Sequence, residues 1–124
     1  MVVKVIDASA LAAIVFNEPS GAAIADLIRG CELVAPELLA YEMANVCLVK
    51  IRRRSAPREA LLAAMAMPGL RIETVAVDHR ALLALAEATG LTIYDSSYLW
   101  LARELGVDLV TLDRELAAVA GKTS

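Results

Sequence analysis

The sequence predicts an α/β fold, a three-layer α/β/α sandwich with a central parallel β-sheet. Short apolar segments rich in β-branched residues alternate with longer segments in which apolar residues recur at helical spacing. Strands separated by helices are typical of a parallel sheet covered on both faces. The chain has 124 residues, the size of one ordinary domain, so we expect a single domain over residues 1–124.

The first elements follow from apolar runs and the residues that end them. Residues 2–6 predict a buried strand, since four of the five are apolar and mostly β-branched. A helical pattern starts at Ser9 and breaks at the turn-forming segment NEPSG. A second helix is expected from Ser20 to about Arg29, with Gly30 as its stop.

The middle of the chain predicts one strand and two helices. The segment CELVAP reads as a short strand ended by Pro36, which can also be the first residue of the next helix. That helix, PELLAYEMANVCLVKIRRR, is the longest expected in the chain. The segment SAPREALLAAMA predicts another helix, and the dipeptide PG at residues 68–69 ends it.

The last third of the chain continues the alternation. Gly90 and Gly106 are expected to end two helices. The predicted elements, in order, are the strand LRIETVAV, the helices HRALLALAEATG and SSYLWLARELG, the strand VDLVTL and the helix DRELAAVAG.

Composition excludes several classes of protein. With 59% hydrophobic and 22% charged residues, the chain is neither disordered nor of low complexity. Its longest uncharged run, residues 60–70, contains Pro68 and is shorter than a membrane span requires. Asp7 interrupts the apolar N-terminal segment, which argues against a signal peptide. We therefore expect a cytoplasmic protein with no membrane contact.

The cysteines and the single histidine do not predict a site. Cys31 and Cys47 lie far apart in sequence, and we expect two reduced, buried thiols rather than a disulfide or zinc site. His79 lies beside a helix start and is expected to be exposed. A catalytic triad would depend on that one histidine, so we do not expect one.

The pair Asp7 and Ser9 lies where the first strand ends. Asp7 could be a helix cap or a turn residue. Ser9 could cap the helix equally well, which leaves Asp7 without an obvious structural role. If the extended backbone continues, both side chains face the same cleft, and we therefore favour a function for the pair.

Glu42 interrupts the apolar face of the longest helix. Helical spacing places it among three apolar side chains, Leu38, Val46 and Val49. Burying a carboxylate there is costly unless a positive group meets it. Asn45, one turn on, shares the face. The alternative is a residue at the edge of the stripe whose carboxylate reaches solvent.

Asp95 and Asp113 each precede a helical segment, and either could be an ordinary N-cap. Thr111 lies two residues before Asp113, which repeats the hydroxyl and carboxylate pairing of Asp7 and Ser9 in reversed order. Taken singly, neither aspartate predicts a function.

Together these acidic residues predict a metal site. A parallel sheet brings the positions that follow its strands to one end, where several carboxylates would repel one another and raise their own pKa values unless a cation were present. Oxygen ligands of this kind suit Mg²⁺ or Mn²⁺, which bind phosphates through their remaining positions. The expected chemistry is metal-assisted hydrolysis of a phosphodiester.

Charge is compatible with a nucleic-acid substrate. The net charge is −3, but without the four carboxylates the rest of the chain is slightly basic. The basic run KIRRR, residues 50–54, ends the longest helix, where cations favour the helix dipole and solubility. Its other interpretation is a phosphate-binding surface, for which the candidates are Lys50, Arg52 and Arg53.

Four segments in order, VIDASAL, PELLAYEMANV, LTIYDSSYLWLARELG and LVTLDREL, resemble the PIN-domain ribonucleases, specifically the VapC-type toxins of bacterial and archaeal toxin–antitoxin pairs. The resemblance covers nearly the whole chain. It implies that the family's four acidic positions are Asp7, Glu42, Asp95 and Asp113, in that order. Ser9, Asn45 and Thr111 match positions where the family often has supporting polar groups.

By this resemblance, Asp7 and Asp95 would be the principal Mg²⁺ (or Mn²⁺) ligands, with Glu42 and Asp113 acting directly or through water. The resemblance also implies cleavage of RNA by a metal-activated water, a homodimer, and a VapB-type antitoxin that inserts a segment near the site. A mean hydropathy of +0.61 agrees with apolar contact surfaces. The short segment GKTS after the last helix leaves little chain for a fifth strand.

Two other functions compete with this prediction. A phosphoaspartyl protein, either a phosphatase or a receiver-like module, would use Asp7 as its nucleophile. Dehalogenase-type phosphatases need a second Asp where this chain has Ser9, and the acidic pair and Lys of a receiver are not evident. A non-catalytic binding module with the same fold would have no reason to keep a carboxylate on the apolar stripe of Glu42.

Overall fold

A parallel sheet forms the centre of the fold and determines where the candidate site residues lie. The structure is a computed structural model that describes residues 1–66 and 69–121. Within these residues the strands are β1 (Val3–Ile6), β2 (Glu32–Pro36), β3 (Ile72–Val75) and β4 (Asp108–Val110). The helices are α1 (Ala8–Val15), α2 (Gly21–Ile28), α3 (Leu39–Arg52), α4 (Arg58–Met65), α5 (His79–Thr89), α6 (Ile93–Leu105) and α7 (Arg114–Gly121).

The register of the sheet aligns the carboxyl ends of β1 and β4. All pairings are parallel, in the order β3-β2-β1-β4. Ile6 lies opposite Val110, and the Asp7 N–H donates to the Val110 carbonyl at 3.1 Å. The side chains that follow β1 and β4 therefore meet at one end of the sheet.

Burial of both faces of β1 confirms the predicted three-layer architecture. Val5 and Ile6 are consecutive, so their side chains point to opposite faces of the sheet, and both are fully buried. On one face α6 packs against both β1 and β2. The core is made mainly of Ala, Val, Leu and Ile, with Tyr98 as its largest fully buried side chain.

Two predicted boundaries are wrong. Pro36 belongs to β2, where it pairs with Val75, and α3 begins three residues later at Leu39. α6 begins at Ile93, because the Thr92 hydroxyl caps the helix by accepting the N–H of Asp95 at 3.1 Å. The segment before Asp95 is therefore already helical.

The other predicted elements are present with small changes in length. The strands expected over 70–77 and 107–112 are shorter, at Ile72–Val75 and Asp108–Val110. Gly90 and Gly106 end α5 and α6 in the left-handed conformation, with φ of 78° and 65°. The helix end predicted at Pro68 and the last three residues of GKTS lie outside the described residues.

Other expectations concern single residues and the edge of the sheet. His79 is exposed at the start of α5, Cys47 is a buried free thiol, and Cys31 is free but only partly buried.

β4 is an edge strand within the described part of the chain. A groove of about 770 Å³ runs beside it, lined partly by α6 and α7, and reaches Thr111. Across residues 1–66 and 69–121, the helices lack the combination of length and apolar character needed to cross a membrane.

Two adjacent serines in α6 provide a test of the packing. Ser96 and Ser97 are both fully buried, but the Ser97 hydroxyl donates to the Tyr94 carbonyl at 2.6 Å, whereas the Ser96 hydroxyl has no partner among the described residues. Because an unsatisfied buried hydroxyl costs about 1–3 kcal/mol, Ser96→Ala is expected to raise the free energy of unfolding by about 1 kcal/mol. Urea unfolding measures the change.

Ser97→Ala is the matched control, since it removes a hydroxyl of equal burial from the same helix. It is expected to lower the free energy of unfolding by about 0.5–1 kcal/mol through its lost hydrogen bond. Equal changes for the two variants would contradict the difference in hydrogen bonding.

Candidate acidic site at the carboxyl end of the sheet

Asp7 is the buried centre of the candidate site. It follows β1 directly and is 4% exposed. Its Oδ1 accepts the Ala10 N–H at 3.0 Å, which makes Asp7 the N-cap of α1. The expectation that Ser9 could replace it as the cap, leaving Asp7 without a structural role, is wrong. Asp7 has that role and carries the site's most buried charge.

Two hydroxyls hold the Asp7 carboxylate. Ser9 Oγ donates to Oδ1 at 2.7 Å, and Thr111 Oγ1 donates to Oδ2. Each hydroxyl also accepts a backbone N–H, Ser9 from Leu112 at 2.9 Å and Thr111 from Asp113 at 3.0 Å. Both hydroxyls are therefore oriented toward Asp7, and the segment between β4 and α7 is tied to the start of α1.

The backbone between Asp7 and Ser9 is not extended as predicted, because Ser9 lies in the first turn of α1. The helix turn folds its hydroxyl back onto the cap residue. The predicted pairing is present, but its geometric reason was wrong.

Glu42 connects α3 to α6. It lies in the first turn of α3, and its Oε1 accepts a hydrogen bond of 2.5 Å from the Tyr98 hydroxyl. The hydrogen bond from the Tyr98 hydroxyl thus offsets the cost of burying part of the Glu42 carboxylate. The sequence analysis had expected a positively charged group in this role. Tyr98 was missed, although it lies three residues after Asp95 and therefore on the same side of α6.

Asp95 and Asp113 occupy different helical positions. Asp95 lies in the first turn of α6, half-buried, with Thr92 as the cap residue, so the alternative interpretation of Asp95 as an N-cap is wrong. Asp113 does act as a cap, because its Oδ1 accepts the Leu116 N–H of α7 at 2.9 Å. Both carboxylates lie at helix starts, where the dipole favours negative charge.

Burial raises the pKa of three of these carboxyl groups. For Asp7 it outweighs the lowering effect of hydrogen bonds from Thr111, Ser9 and Ala10, and the charge of Asp113 raises the pKa further. Burial likewise raises the pKa of Glu42, partly offset by the hydrogen bond from Tyr98. Desolvation therefore opposes ionisation at the centre of the site.

Mutual repulsion adds to this effect and shows that the four carboxylates lie close enough to interact. The charges of Asp95 and Asp7 raise the pKa of Glu42. After burial, the charges of Asp113, Asp7 and Glu115 raise the pKa of Asp95. Glu115, exposed in the first turn of α7, was not predicted from sequence; its position two residues after Asp113 was the available signal. The desolvated Tyr98 hydroxyl, which donates to Glu42, also has a raised pKa.

The acidic residues interact without converging tightly. Among the described residues, no group of three or more His, Cys, Asp or Glu side chains has the spacing to enclose a metal ion. The three salt bridges found there do not involve any of the four carboxylates.

The remaining predicted residues lie outside this carboxylate group. Asn45 is exposed on α3. Lys50 is half-buried, donating to Glu18 at 3.5 Å with its Nζ 5.1 Å from the Phe16 ring centroid. Arg52 and Arg53 are exposed at the end of α3.

Comparison with known proteins gives similarity over nearly the full length of the chain. The sequence model of the PIN domain matches residues 4–122. Ribonuclease VapC3 of Pyrobaculum aerophilum is 38% identical over 120 residues, which cover 91% of this chain and 91% of that protein. The crystal structure of PAE2754 from the same organism is 27% identical, with a TM-score of 0.67 over 94% of this chain and 85% of that one.

Asp7→Asn is expected to stabilise the protein at neutral pH in the presence of a chelator. The side-chain oxygen of Asn can still cap α1, while the charge opposed by burial is removed. The pKa of Asp7 is higher in the folded protein than in the unfolded chain. The stability of the wild-type protein is therefore greatest below the carboxyl pKa of the unfolded chain, and part of it is lost as the pH rises through the pKa that Asp7 has in the folded protein. The variant's advantage should be absent in acid and grow toward neutral pH, as thermal unfolding can measure.

Asp7→Ala separates the cap from the charge. It also removes the acceptor for Ala10, which costs about 1 kcal/mol, so it should be less stable than Asp7→Asn at every pH. A wild-type to Asp7→Asn difference that does not change with pH would argue against the raised pKa.

Proposed function

The chain belongs to the PIN-domain family, and on that premise we propose that it is a metal-dependent endoribonuclease of the VapC toxin type. The observation that carries the proposal is the interaction of four carboxylates around the buried Asp7, with the pKa values of three of them raised. Such a group is stabilised by a cation that is not part of the chain. A divalent ion that also binds phosphate meets that need.

In this proposal Asp7 and Asp95 hold Mg²⁺ or Mn²⁺ directly, and Glu42 and Asp113 act directly or through bound waters. A bound ion would supply an activated water and would offset the negative charge that develops on the phosphate and leaving-group oxygens. Ser9 and Thr111 keep the Asp7 carboxylate in one orientation by donating to its two oxygens. Tyr98 holds Glu42 in place across α3 and α6 in the same way. Asn45 stays a candidate for contact with substrate or water at the rim.

We propose that the RNA-binding surface extends from the acidic site to the basic end of α3. Glu42 and Arg52 are ten residues apart in this helix, which corresponds to about 15 Å. An RNA strand of a few nucleotides could therefore reach from the acidic site to Arg52 and Arg53. Lys50 is a weaker candidate because its ammonium group already contacts Glu18 and Phe16.

The biological setting follows from the VapC assignment. We propose a single domain over residues 1–124, a homodimer, a VapB-type antitoxin as partner, and action in the cytoplasm. For the antitoxin, an acidic site offers a place where a basic side chain could replace the metal ion.

The phosphoaspartyl alternative is not favoured. A dehalogenase-type phosphatase that used Asp7 as its nucleophile would need a second Asp two residues on, where this chain has Ser9, and the PIN-domain match over residues 4–122 favours the nuclease. A non-catalytic PIN-fold module would have no use for repelling carboxylates, and their retention favours the enzyme.

Loss of the two principal ligands tests the assignment. Asp7→Asn and Asp95→Asn are each expected to lower Mg²⁺- or Mn²⁺-dependent cleavage of total cellular RNA by about 100-fold or more, since the loss of a ligand exceeds the effect of a supporting residue. Growth inhibition on induction should be lost in parallel. Gel analysis of RNA and growth curves measure both effects.

Asp78→Asn is the matched control, because Asp78 is an exposed aspartate that caps α5 through the N–H groups of Arg80 and Ala81. It should retain activity, which separates the loss of a capping residue's charge from the loss of a ligand. Wild-type protein that cleaves no RNA in either metal would remove the main support for the enzyme. Full toxicity in either site variant would refute that residue's role.

The basic run provides a second test of RNA binding. Replacing Arg52 and Arg53 with Ala is expected to weaken RNA binding and to reduce the slope of log affinity against log salt by about 0.7 for each lost phosphate contact. Arg29 and Arg71, exposed before β2 and β3 at the opposite end of the sheet, provide the control pair. Equal slopes for the two double variants would return Arg52 and Arg53 to a role in helix capping and solubility.

A further inference from the structure

The free edge of the sheet at β4 lies in a groove that is separate from the acidic site. β4 pairs with β1 on one side, and across residues 1–66 and 69–121 no strand covers its other side. The groove of about 770 Å³ beside it is lined by apolar side chains from α2, α6 and α7, including Leu27, Leu99 and Ala117. This volume is typical of ligand sites, which span about 300–1,000 Å³. The groove reaches Thr111, but none of the four carboxylates of the acidic site lines it.

The backbone of β4 directs one donor and one acceptor into this groove. The Asp7 N–H donates to the Val110 carbonyl at 3.1 Å, so the backbone groups of Val110 face β1. Because successive residues of a strand direct their N–H and C=O groups to opposite sides, those of Leu109 face the groove. No backbone hydrogen bond from another described residue meets them there. An extended peptide alongside β4 would supply both partners.

The shape of the groove favours a single extended segment over a second copy of this chain. The connections from β1 to β2 and from β3 to β4 run in opposite directions across the sheet, so right-handed crossovers place α2 and α6 on opposite faces. Leu27 therefore borders β4 from one face, and α6 and α7 border it from the other. These helices would keep the β4 edges of two copies apart, whereas a narrow extended chain can reach the floor of the groove.

The charges in the groove favour a segment that carries a carboxylate. Lys4 and Arg103 line the groove together with one acidic residue, Asp108, and none of the salt bridges among the described residues involves them. Lys4 Nζ donates to the Leu27 carbonyl at 2.9 Å, which leaves its other N–H groups for a ligand. Lys4 lies opposite Asp108 in the register, so these charges lie near the start of β4. The excess of positive charge there complements an acidic side chain.

We propose that the free edge of β4 binds an extended peptide segment of a protein partner, with apolar side chains along β4 and a carboxylate beside Lys4 and Arg103. The segment adds a strand to the sheet by hydrogen bonding to the backbone of Leu109. RNA fits the groove less well, because its apolar lining and the carboxylate of Asp108 do not complement a phosphate backbone. This inference does not depend on the proposed ribonuclease function.

Titration of the full-length, isotope-labelled protein with a defined peptide tests the proposal by NMR. The probe is the acetylated and amidated peptide EVTVTVE, whose Glu residues at both ends place a carboxylate near Lys4 and Arg103 in either strand direction. Its addition should shift the amide resonances of Leu109 and Thr111, which line the groove. At saturation the exchange of the Leu109 N–H with solvent should slow by about tenfold or more, because exchange then requires the peptide to dissociate.

Two altered peptides separate backbone pairing from charge. An analogue of EVTVTVE with N-methylated Val and Thr residues lacks the backbone donors and should not bind at the same concentration. The peptide KVTVTVK should bind about tenfold more weakly than EVTVTVE, because it places like charges beside Lys4 and Arg103.

Variants of the protein test the same two contributions. Leu109→Pro removes the N–H that faces the groove and should abolish binding; proline is tolerated on an edge strand because the hydrogen bonds of Val110 to β1 remain. Leu109→Ala keeps the N–H and should bind nearly as well as the wild type, with thermal unfolding of both variants as the check on folding. Arg103→Glu, an exposed position, should weaken EVTVTVE and strengthen KVTVTVK, whereas Arg80→Glu on α5 should change neither.

No shift of the Leu109 resonance at millimolar EVTVTVE would overturn the proposal, as would equal binding of the N-methylated peptide or equal binding by Leu109→Pro and Leu109→Ala. Three further outcomes identify a different occupant and also refute it. A Leu109 shift that grows with protein concentration alone indicates a second copy of the chain. A shift caused by single-stranded RNA but not by the peptide indicates nucleic acid. Peptide binding only after deletion of residues 122–124 indicates the chain's own end.

Discussion

The structure of the site depends on the burial of one charge at Asp7. The apolar residues of β1 are fixed in the core, so the residue that follows them cannot move to solvent. Its carboxylate is tolerated because the Ala10 N–H and the hydroxyls of Ser9 and Thr111 surround it. These contacts join the end of β1, the start of α1 and the segment after β4. The group with the greatest electrostatic cost is thus also the group that holds the end of the sheet together.

This burial determines what the neighbouring acidic residues can do. Hydrogen bonds stabilise the ionised form of Asp7, yet desolvation outweighs them and its pKa is raised. Each further carboxylate at the same end of the sheet increases the repulsion, and helix starts and Tyr98 compensate only part of it. The protein therefore maintains a deficit of positive charge at a defined place. In the proposed function a divalent cation would remove that deficit, and its remaining coordination positions would admit phosphate oxygens.

Sequence reasoning predicted the architecture, because apolar periodicity identifies the strands and the residues that follow parallel strands lie at one end of the sheet. The acidic residues at 7, 42, 95 and 113 do interact, although only Asp7 and Asp113 follow strands, and their roles as metal ligands stay a prediction. Sequence reasoning failed where the hydrogen-bond partner of a site residue lies on an element that is distant in sequence. It also failed where a capping residue shifted the start of a helix. Tyr98 meets Glu42 across 56 residues, which no local pattern encodes. Thr92 rather than Asp95 caps α6, so a carboxylate expected outside the helix lies within its first turn.

The structural and functional interpretations of Asp7 are not alternatives, and this affects how such sites are identified. An N-cap needs one carboxylate oxygen aimed at the first turn, and the cap geometry itself fixes the side-chain rotamer. A metal ligand also needs a fixed rotamer, so a capping aspartate is already organised for ligation. What distinguishes Asp7 from Asp78, which caps α5, is its surroundings: Asp78 is exposed, whereas Asp7 is buried and the charge of Asp113 raises its pKa. The evidence for function is therefore the local excess of buried negative charge, and a role as a helix cap counts neither for it nor against it.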